Sequence, residues 1–365
     1  MTFAGVDIGT SGLKVSLLDD AGAVVDERAA SYATSTPRPG WCELDPEAWL
    51  RAYRTVAGGL DSVTAIGFTG QMHGVVLTDE DNVPLRPAVL WPDRRASEMA
   101  ERWERSHVLD DLDTPVKPGY AAAILAWLST NEPDVIAATK RVWFTKDWVR
   151  ARLCDDPVPI TERSDAAGSL LWDPRTGMWS DEAARLAGIE TGVLAELRGS
   201  TELAGTIAGV PAIVGGADTA TALEAYRAIE PRAGSVYVNA GSGCQVLRPF
   251  ATRPARSRAA ECVFADTGVG WYAMRALDTR DVPDGGVLAE MVAVAVAGFA
   301  PDRVVVGGGA AHDPVFRREL GTRLSVPARC VEVRSLSACG AALLAATAMG
   351  RRIGLRHDTV EVSRR

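Results

Sequence analysis

The sequence predicts an α/β protein built from two similar lobes that face a shared cleft. Three observations carry this. The chain has 365 residues, enough for roughly two domains with separate cores. Strand-like segments mixed with a crossover helix occur in the first eighty residues and again after Pro211. A short string also recurs. Val6-Asp7-Ile8-Gly9-Thr10-Ser11-Gly12 is echoed by Val238-Asn239-Ala240-Gly241-Ser242-Gly243, each reading as strand, glycine-rich turn and strand.

The elements follow in order. Residues 13–18 alternate apolar and polar before ending apolar, Asp19-Asp20-Ala21-Gly22 is turn chemistry, and Ala23-Val24-Val25 resumes a strand, so a hairpin is expected. Asp45 as cap and Pro46 as first residue open a helix whose Trp49, Tyr53, Val56 and Leu60 share one face. Residues 63–69 and 74–78 read as strands. From Pro92 to about Leu203 the pattern turns to helix and loop. Apolar faces recur at Met99/Trp103, Ile124/Leu128 and Trp148/Leu153, and Trp179-Ser180-Asp181 caps another helix. This stretch reads as a lid or insertion on the first lobe.

The second lobe is expected to begin at Pro211, dividing the chain into 1–210 and 211–365. Its strands are 212–214, 235–239 with hairpin partner 244–247, and 303–306. A helix follows Asp313-Pro314, and an alanine-rich helix over about 336–349 can pack closely.

Composition narrows the function classes. A net charge of −8 argues against a nucleic-acid surface. The one basic run, with Arg248, Arg253, Arg256 and Arg258, reads as a solvated loop. No uncharged apolar stretch approaches the ~18 residues of a membrane span. Residues 287–300 are apolar but short and interrupted by Glu290, and read as a buried core helix. No basic-then-apolar leader opens the chain, and the six cysteines form no C-x-x-C pair. A cytoplasmic protein with reduced thiols and no zinc site is expected.

Six strings can carry chemistry. In the turn after Asp7, glycines let backbone N–H groups point at phosphate oxygens. Thr10 and Ser11 add hydroxyls, Lys14 adds a charge, and Asp7 could hold a hydrated Mg2+. An ordinary hairpin would use the same residues. Gly241-Ser242-Gly243 is a similar turn without the acid, and Gly307-Gly308-Gly309-Ala310 allows close approach of a flat ring or a phosphate. In Gly215-Gly216-Ala217-Asp218-Thr219, Asp218 could be a general base for an alcohol or a helix cap. Gln71, Met72 and His73 stand at a strand end, where Gln71 and His73 offer donors and acceptors to sugar hydroxyls. Trp91-Pro92-Asp93-Arg94-Arg95 either lines the same pocket or forms a salt-bridged turn.

Together these strings resemble the FGGY carbohydrate kinase family, and within it the xylulokinase branch. The likeness runs in order along nearly the whole chain. It also takes in Gly40-Trp41 with Glu43, Asp45 and Pro46, the Pro87 to Asp93 stretch, Lys146-Asp147, Ser164-Asp165-Ala166-Ala167-Gly168 and Trp179-Ser180-Asp181. The resemblance implies a two-lobed actin/hexokinase-like fold with a ribonuclease-H-like core in each lobe. It implies ATP and Mg2+, and phosphoryl transfer to a ketose or polyol hydroxyl, D-xylulose 5-hydroxyl first.

It puts Asp218 on the catalytic base. It puts Gln71, Met72, His73, Trp91, Asp93 and Thr219 beside the sugar, and Asp7 on the metal. Gly9, Thr10, Ser11, Gly12, Lys14, Gly241, Ser242, Gly243, Gly307, Gly308, Gly309 and Ala310 fall on the nucleotide. The expected partner is a small sugar, with neither nucleic acid nor membrane, and a homodimer is left open. The sequence departs from the family at Thr219, where Asn is usual, and in the short stretch between Gly243 and Gly307. A catalytically degenerate sugar- or nucleotide-binding homologue is the alternative.

Overall fold

The expected hairpin forms between β1 (Thr2–Ile8) and β2 (Gly12–Asp19), with Asp7 opposite Lys14 and Ile8 opposite Leu13. The computed structural model describes residues 1–112, 114–240, 243–254, 262–279, 282 and 284–362. The Asp19 carboxylate accepts the Ala21 and Ala23 N–H groups at 2.9 and 2.8 Å, turning the chain into β3 (Val24–Ser31). Helix α1 (Glu47–Val56) then crosses to β4 (Ala65–Gly70), which lies parallel to β1. Trp49, Tyr53 and Val56 are its buried face, and Leu60 is buried just beyond it. Pro46 occupies the cap position, while Asp45 accepts the Glu47 N–H at 3.1 Å.

Between β4 and the next strands of this sheet lie α2 (Ser97–Ser106), α3 (Ala121–Asn131), α4 (Thr145–Leu153) and α5 (Arg163–Ala167). Ser180 caps the short Asp181–Leu186 helix by accepting the Ala183 N–H at 3.2 Å. The chain then returns through β5 (Leu203–Ile207), β6 (Val210–Ile213) and β7 (Gly216–Ala217). The sheet order is β5-β6-β4-β1-β2-β3, with β7 also on β4. The strand expected to open the second lobe at Pro211 thus belongs to the first sheet. Its buried Ala212 pairs in parallel with Ile66, and β7 continues along the same edge.

The second sheet comprises β8 (Ser235–Ala240), β9 (Cys244–Phe250), β10 (Cys262–Ala265), β11 (Trp271–Leu277), β12 (Arg303–Gly307), β13 (Ala328–Val331) and β14 (Thr359–Glu361). Its order is β10-β11-β9-β8-β12-β13-β14. Hairpin β8/β9 is flanked by parallel β12 and then β13, just as β1/β2 is flanked by parallel β4 and then β6. The short sequence echo therefore marks equivalent places in two like sheets.

Helices α6 (Asp218–Ile229), α7 (Gly285–Ala297), α8 (Pro314–Arg323) and α9 (Leu336–Ala348) complete the main elements. The alanine-rich α9 packs on β1, β2 and β4 of the first sheet and on α6. A Cβ added at Gly5 would stand 1.8 Å from the Ala338 carbonyl oxygen, and one at Gly67 would stand 2.0 Å from that of Ala341. Backbone thus meets backbone across this seam.

Helix α7 corrects one expectation. Ala289, Val292 and Val296 are buried, but Val294 is 71% exposed, because only one face of the helix has a layer beneath it. Of the basic run, Arg248 lies in β9, and Arg256 and Arg258 lie outside the described residues. Among the described residues no helix is long and apolar enough to cross a membrane.

Candidate active site

Parallel strands β7, β4 and β1 end together. Ala217 lies opposite Gly70, and Gly70 opposite Ile8. Whatever follows these strands therefore emerges on one sheet edge, the usual place for a ligand in open α/β sheets. The followers are Asp218, the Gln71-Met72-His73 string and the first glycine turn.

Asp7, at the end of β1, is 8% exposed, and its Oδ1 has no hydrogen-bond partner. Burial pushes its pKa up to about 6, partly opposed by the charge of Lys14 across the hairpin. The turn closes through Gly9 N–H to the Gly12 carbonyl at 3.0 Å. The Gly9 carbonyl accepts from Tyr32 Oη at 2.5 Å and from Gln71 Nε2 at 3.3 Å. Thr10 donates to Gln71 Oε1 at 3.3 Å and accepts from Trp91 Nε1 at 2.9 Å. Trp91 and Gln71 thus brace the first turn, while Ser11 and Lys14 stay exposed.

Asp218 is delivered by two glycines, the first of which leaves no room for a side chain. Gly215 has φ +83, and a Cβ there would lie 1.8 Å from the Phe68 carbonyl oxygen. A Cβ on Gly216 would lie 2.7 Å from Thr267 Cγ2. Asp218 is half-buried, and its Oδ1 accepts the Thr219 N–H at 2.7 Å. Burial, then the charge of Asp7 and more weakly that of Asp165, pushes its pKa up to about 8, against the pull of the Thr219 N–H. Two carboxyl groups with raised proton affinity at one sheet edge are what an acid–base site needs.

His73 carries a left-handed backbone, φ 75, unusual for a side chain of its size. Its ring stacks on Tyr120 at 4.0 Å, and Nδ1 donates to the Gly168 carbonyl at 2.6 Å. Burial pushes its pKa down to about 4, so the ring is neutral and Nε2 is left as an acceptor. Thr219 donates to Met72 Sδ at 3.3 Å and so accepts from Tyr272 Oη at 2.6 Å. Its hydroxyl is thereby engaged within the protein.

Asp93 corrects the sequence reading of a sugar ligand. It is fully buried, and its oxygens take the Cys42 N–H at 2.7 Å and three Arg95 donors at 2.8 to 2.9 Å. No lone pair faces a cavity, because Asp93 is the anchor of its own turn. Tyr120, Phe264 and Tyr272 carry no sequence signal, since Tyr120 stands alone before α3 and the other two are isolated aromatics in strands. Phe264 lies 5.9 Å from His73 and 5.8 Å from Tyr272, so the second sheet contributes to the wall.

In the second sheet, Asn239 at the end of β8 lies opposite Gly307 at the end of β12. Gly308 has φ +89, and a Cβ there would stand 2.6 Å from the Ala240 carbonyl oxygen. The Gly307–Ala310 turn therefore sits against the end of β8. Around Gly309 the space is open. Gly241 and Ser242 lie outside the described residues.

With two like sheets and glycine turns where their strands end, the architecture is that of a two-lobed actin/hexokinase-like fold. The family model for the FGGY family of carbohydrate kinases, N-terminal domain, matches residues 2–223, and the chain belongs to this family. Among curated relatives, the xylulose kinase of Lactococcus lactis subsp. lactis (strain IL1403) is 34% identical over 246 residues, covering 61% of this chain and 48% of the relative. That of Escherichia coli (strain K12) is 32% identical over 238 residues, covering 60% and 48%. The chain spans about half the length of these curated relatives. In fold it is similar to a ligand-bound xylulose kinase from Lactobacillus acidophilus, with TM-score 0.88, 16% identity and coverage of 100% of this chain and 94% of that one. It is likewise similar to a xyloylose kinase from Brucella ovis, with TM-score 0.86, 22% identity and coverage of 100% and 95%.

Proposed function

We propose that the chain is an ATP-dependent carbohydrate kinase that phosphorylates a hydroxyl of a ketose or polyol, with the 5-hydroxyl of D-xylulose as first candidate. The observation that carries this is Asp218, a half-buried carboxyl with pKa pushed up to about 8, at the same end of the sheet as Asp7 and beside Gln71, Met72 and His73. A base works best when its proton affinity is near the operating pH. Asp218 takes the hydroxyl proton as the oxygen attacks the γ-phosphorus, whose bond to the bridging oxygen breaks to release ADP. The neutral His73 offers Nε2 to a sugar hydroxyl, and its stacked, hydrogen-bonded ring cannot turn away.

The unpartnered Oδ1 of Asp7 suits a cation. Among the described residues there is no cluster of three or more His, Cys, Asp or Glu side chains for a metal. Mg2+ would thus be held by Asp7 with water and phosphate oxygens, which is its ordinary habit. Once bound it neutralises charge on the transferring group. The turns at Gly9–Gly12, at 241–243 and at Gly307–Ala310 would cradle the nucleotide, with Lys14 as a point charge. The lobe boundary is best drawn after β7, with α6 and α9 between the two sheets.

A coupled ADP-release assay over a panel of ketoses and polyols tests the proposal. Turnover on at least one sugar is expected. ATP binding without turnover on any would overturn it in favour of a non-catalytic binding homologue, the reading that the half-length match to curated relatives favours. Asp218→Ala is expected to cut kcat at least about 100-fold while leaving ATP affinity nearly unchanged.

A further inference from the structure

We infer that Ser164, held by Glu162, is a positioning residue for Asp218, acting through the backbone N–H of Ala217. The inference rests on the reading of Asp218 as the base. Ala217 is the last residue of β7 and directly precedes Asp218. Its N–H donates to Ser164 Oγ at 2.9 Å across 53 residues of sequence. Ser164 Oγ in turn donates to Glu162 Oε1 at 2.8 Å. The same carboxylate caps α5, accepting the Ser164 and Asp165 N–H groups at 2.6 and 2.9 Å. Ser164 and Glu162 are fully buried, so no water replaces a lost partner cheaply.

The other end of the segment is held by the same network. Arg150 Nη1 donates to the Val214 carbonyl at 2.7 Å and to Asp147 Oδ1 at 2.7 Å. Lys146 Nζ lies 2.9 Å from Asp147, 2.8 Å from Asp165 and 3.6 Å from Glu162. Three buried carboxylates and two buried cations therefore grip residues 214 and 217 from one side. Between those grips stand Gly215 and Gly216, which have no side chains of their own to lock the turn. A buried ion network of this cost is a poor way to gain stability alone, but a good way to fix one geometry. The geometry fixed here is the direction in which Asp218 leaves the strand.

The test compares Ser164→Ala, Ser164→Cys and Ser164→Thr with Asp218→Ala, each checked for ATP-binding stoichiometry by calorimetry. Ser164→Ala is expected to lower kcat about 10- to 100-fold, the scale of a misplaced catalytic group, with KM for ATP unchanged. Ser164→Cys keeps the volume but replaces the acceptor by a weak one, and should lose kcat similarly. Ser164→Thr keeps the hydroxyl and should recover most of the rate. Wild-type kcat in both the Ala and Cys variants, or equal losses in Thr and Ala, would overturn the positioning role. Ordinary turnover in Asp218→Ala would instead overturn the assignment of the base itself.

Discussion

At the residue scale, Asp218 ties rate to stability with opposite signs. Its folded pKa of about 8 lies above the 3.8 of a free carboxyl, so between these values the folded chain binds more protons than the unfolded one. Stability then falls as pH rises, by up to roughly 1.4 kcal/mol per pH unit for one fully shifted group, and less here because Asp218 is only half-buried. Asp7 adds to the loss in the narrower window from 3.8 to about 6. On the proposed role of Asp218 as a base, activity runs the other way, since a base must be ionised. The kcat/KM for sugar should rise with pH to a plateau above about 8, as read from initial rates in buffers of constant ionic strength. Asp218→Asn should melt several degrees above wild type at pH 8, with a clearly smaller gap at pH 5 and none near about pH 3.5. A Tm gap that does not widen with pH would contradict the raised proton affinity. The sequence made Asp218 and Asp93 look alike, each an acid in a turn. What separates them is the Cys42 N–H, 51 positions away, which completes the consumption of Asp93. Local sequence cannot show a partner that arrives from a distant segment.

At the element scale, the same limit explains which segments were legible. The β1/β2 hairpin and α1 are local devices, and their turn and face patterns were readable. Residues 212–214 were readable as a strand, but their pairing with β4 is non-local, so they were assigned to the other lobe. Alanines at 336–349 announced close packing without naming the partner. That partner is the first sheet, and Gly5 and Gly67 are the other half of the pattern. Gly5→Ala or Gly67→Ala would press a methyl against an α9 carbonyl that backbone hydrogen bonds hold in place. Either should cost at least about 3 kcal/mol, seen in the denaturant midpoint or as loss of soluble protein. Gly192→Ala, with no atom within 4 Å of the added carbon, should be near neutral. Similar effects at all three positions would mean that the seam is not close-packed.

At the scale of the whole molecule, residues near the β10–β11 edge of the second sheet join the lobes on one side of the cleft. Thr114 Oγ1 donates to the Val263 carbonyl at 3.5 Å, Tyr120 Oη lies 3.4 Å from Cys262 Sγ, and Arg163 Nη1 donates to the Gly268 carbonyl at 2.5 Å. The guanidinium groups of Arg163 and Arg253 lie 5.1 and 5.2 Å from the centre of the Trp271 ring, which also meets Trp172 at 6.0 Å. Arg163 immediately precedes Ser164, so this contact sits one residue from the network that holds the Asp218 segment. If the proposed sugar and nucleotide draw the lobes together, the contacts of this edge bear on that closure. Arg163→Ala removes one hydrogen bond and one cation–π contact, together about 1.4 kcal/mol, or about tenfold in an opening equilibrium. Amide hydrogen exchange over 262–271 should therefore quicken about tenfold in the free variant, with β1 and β4 unchanged. Adding sugar and ATP should slow it in both proteins. Exchange that quickens equally throughout the first sheet would instead make Arg163 a general stabiliser, and the joint between the lobes would have to lie elsewhere.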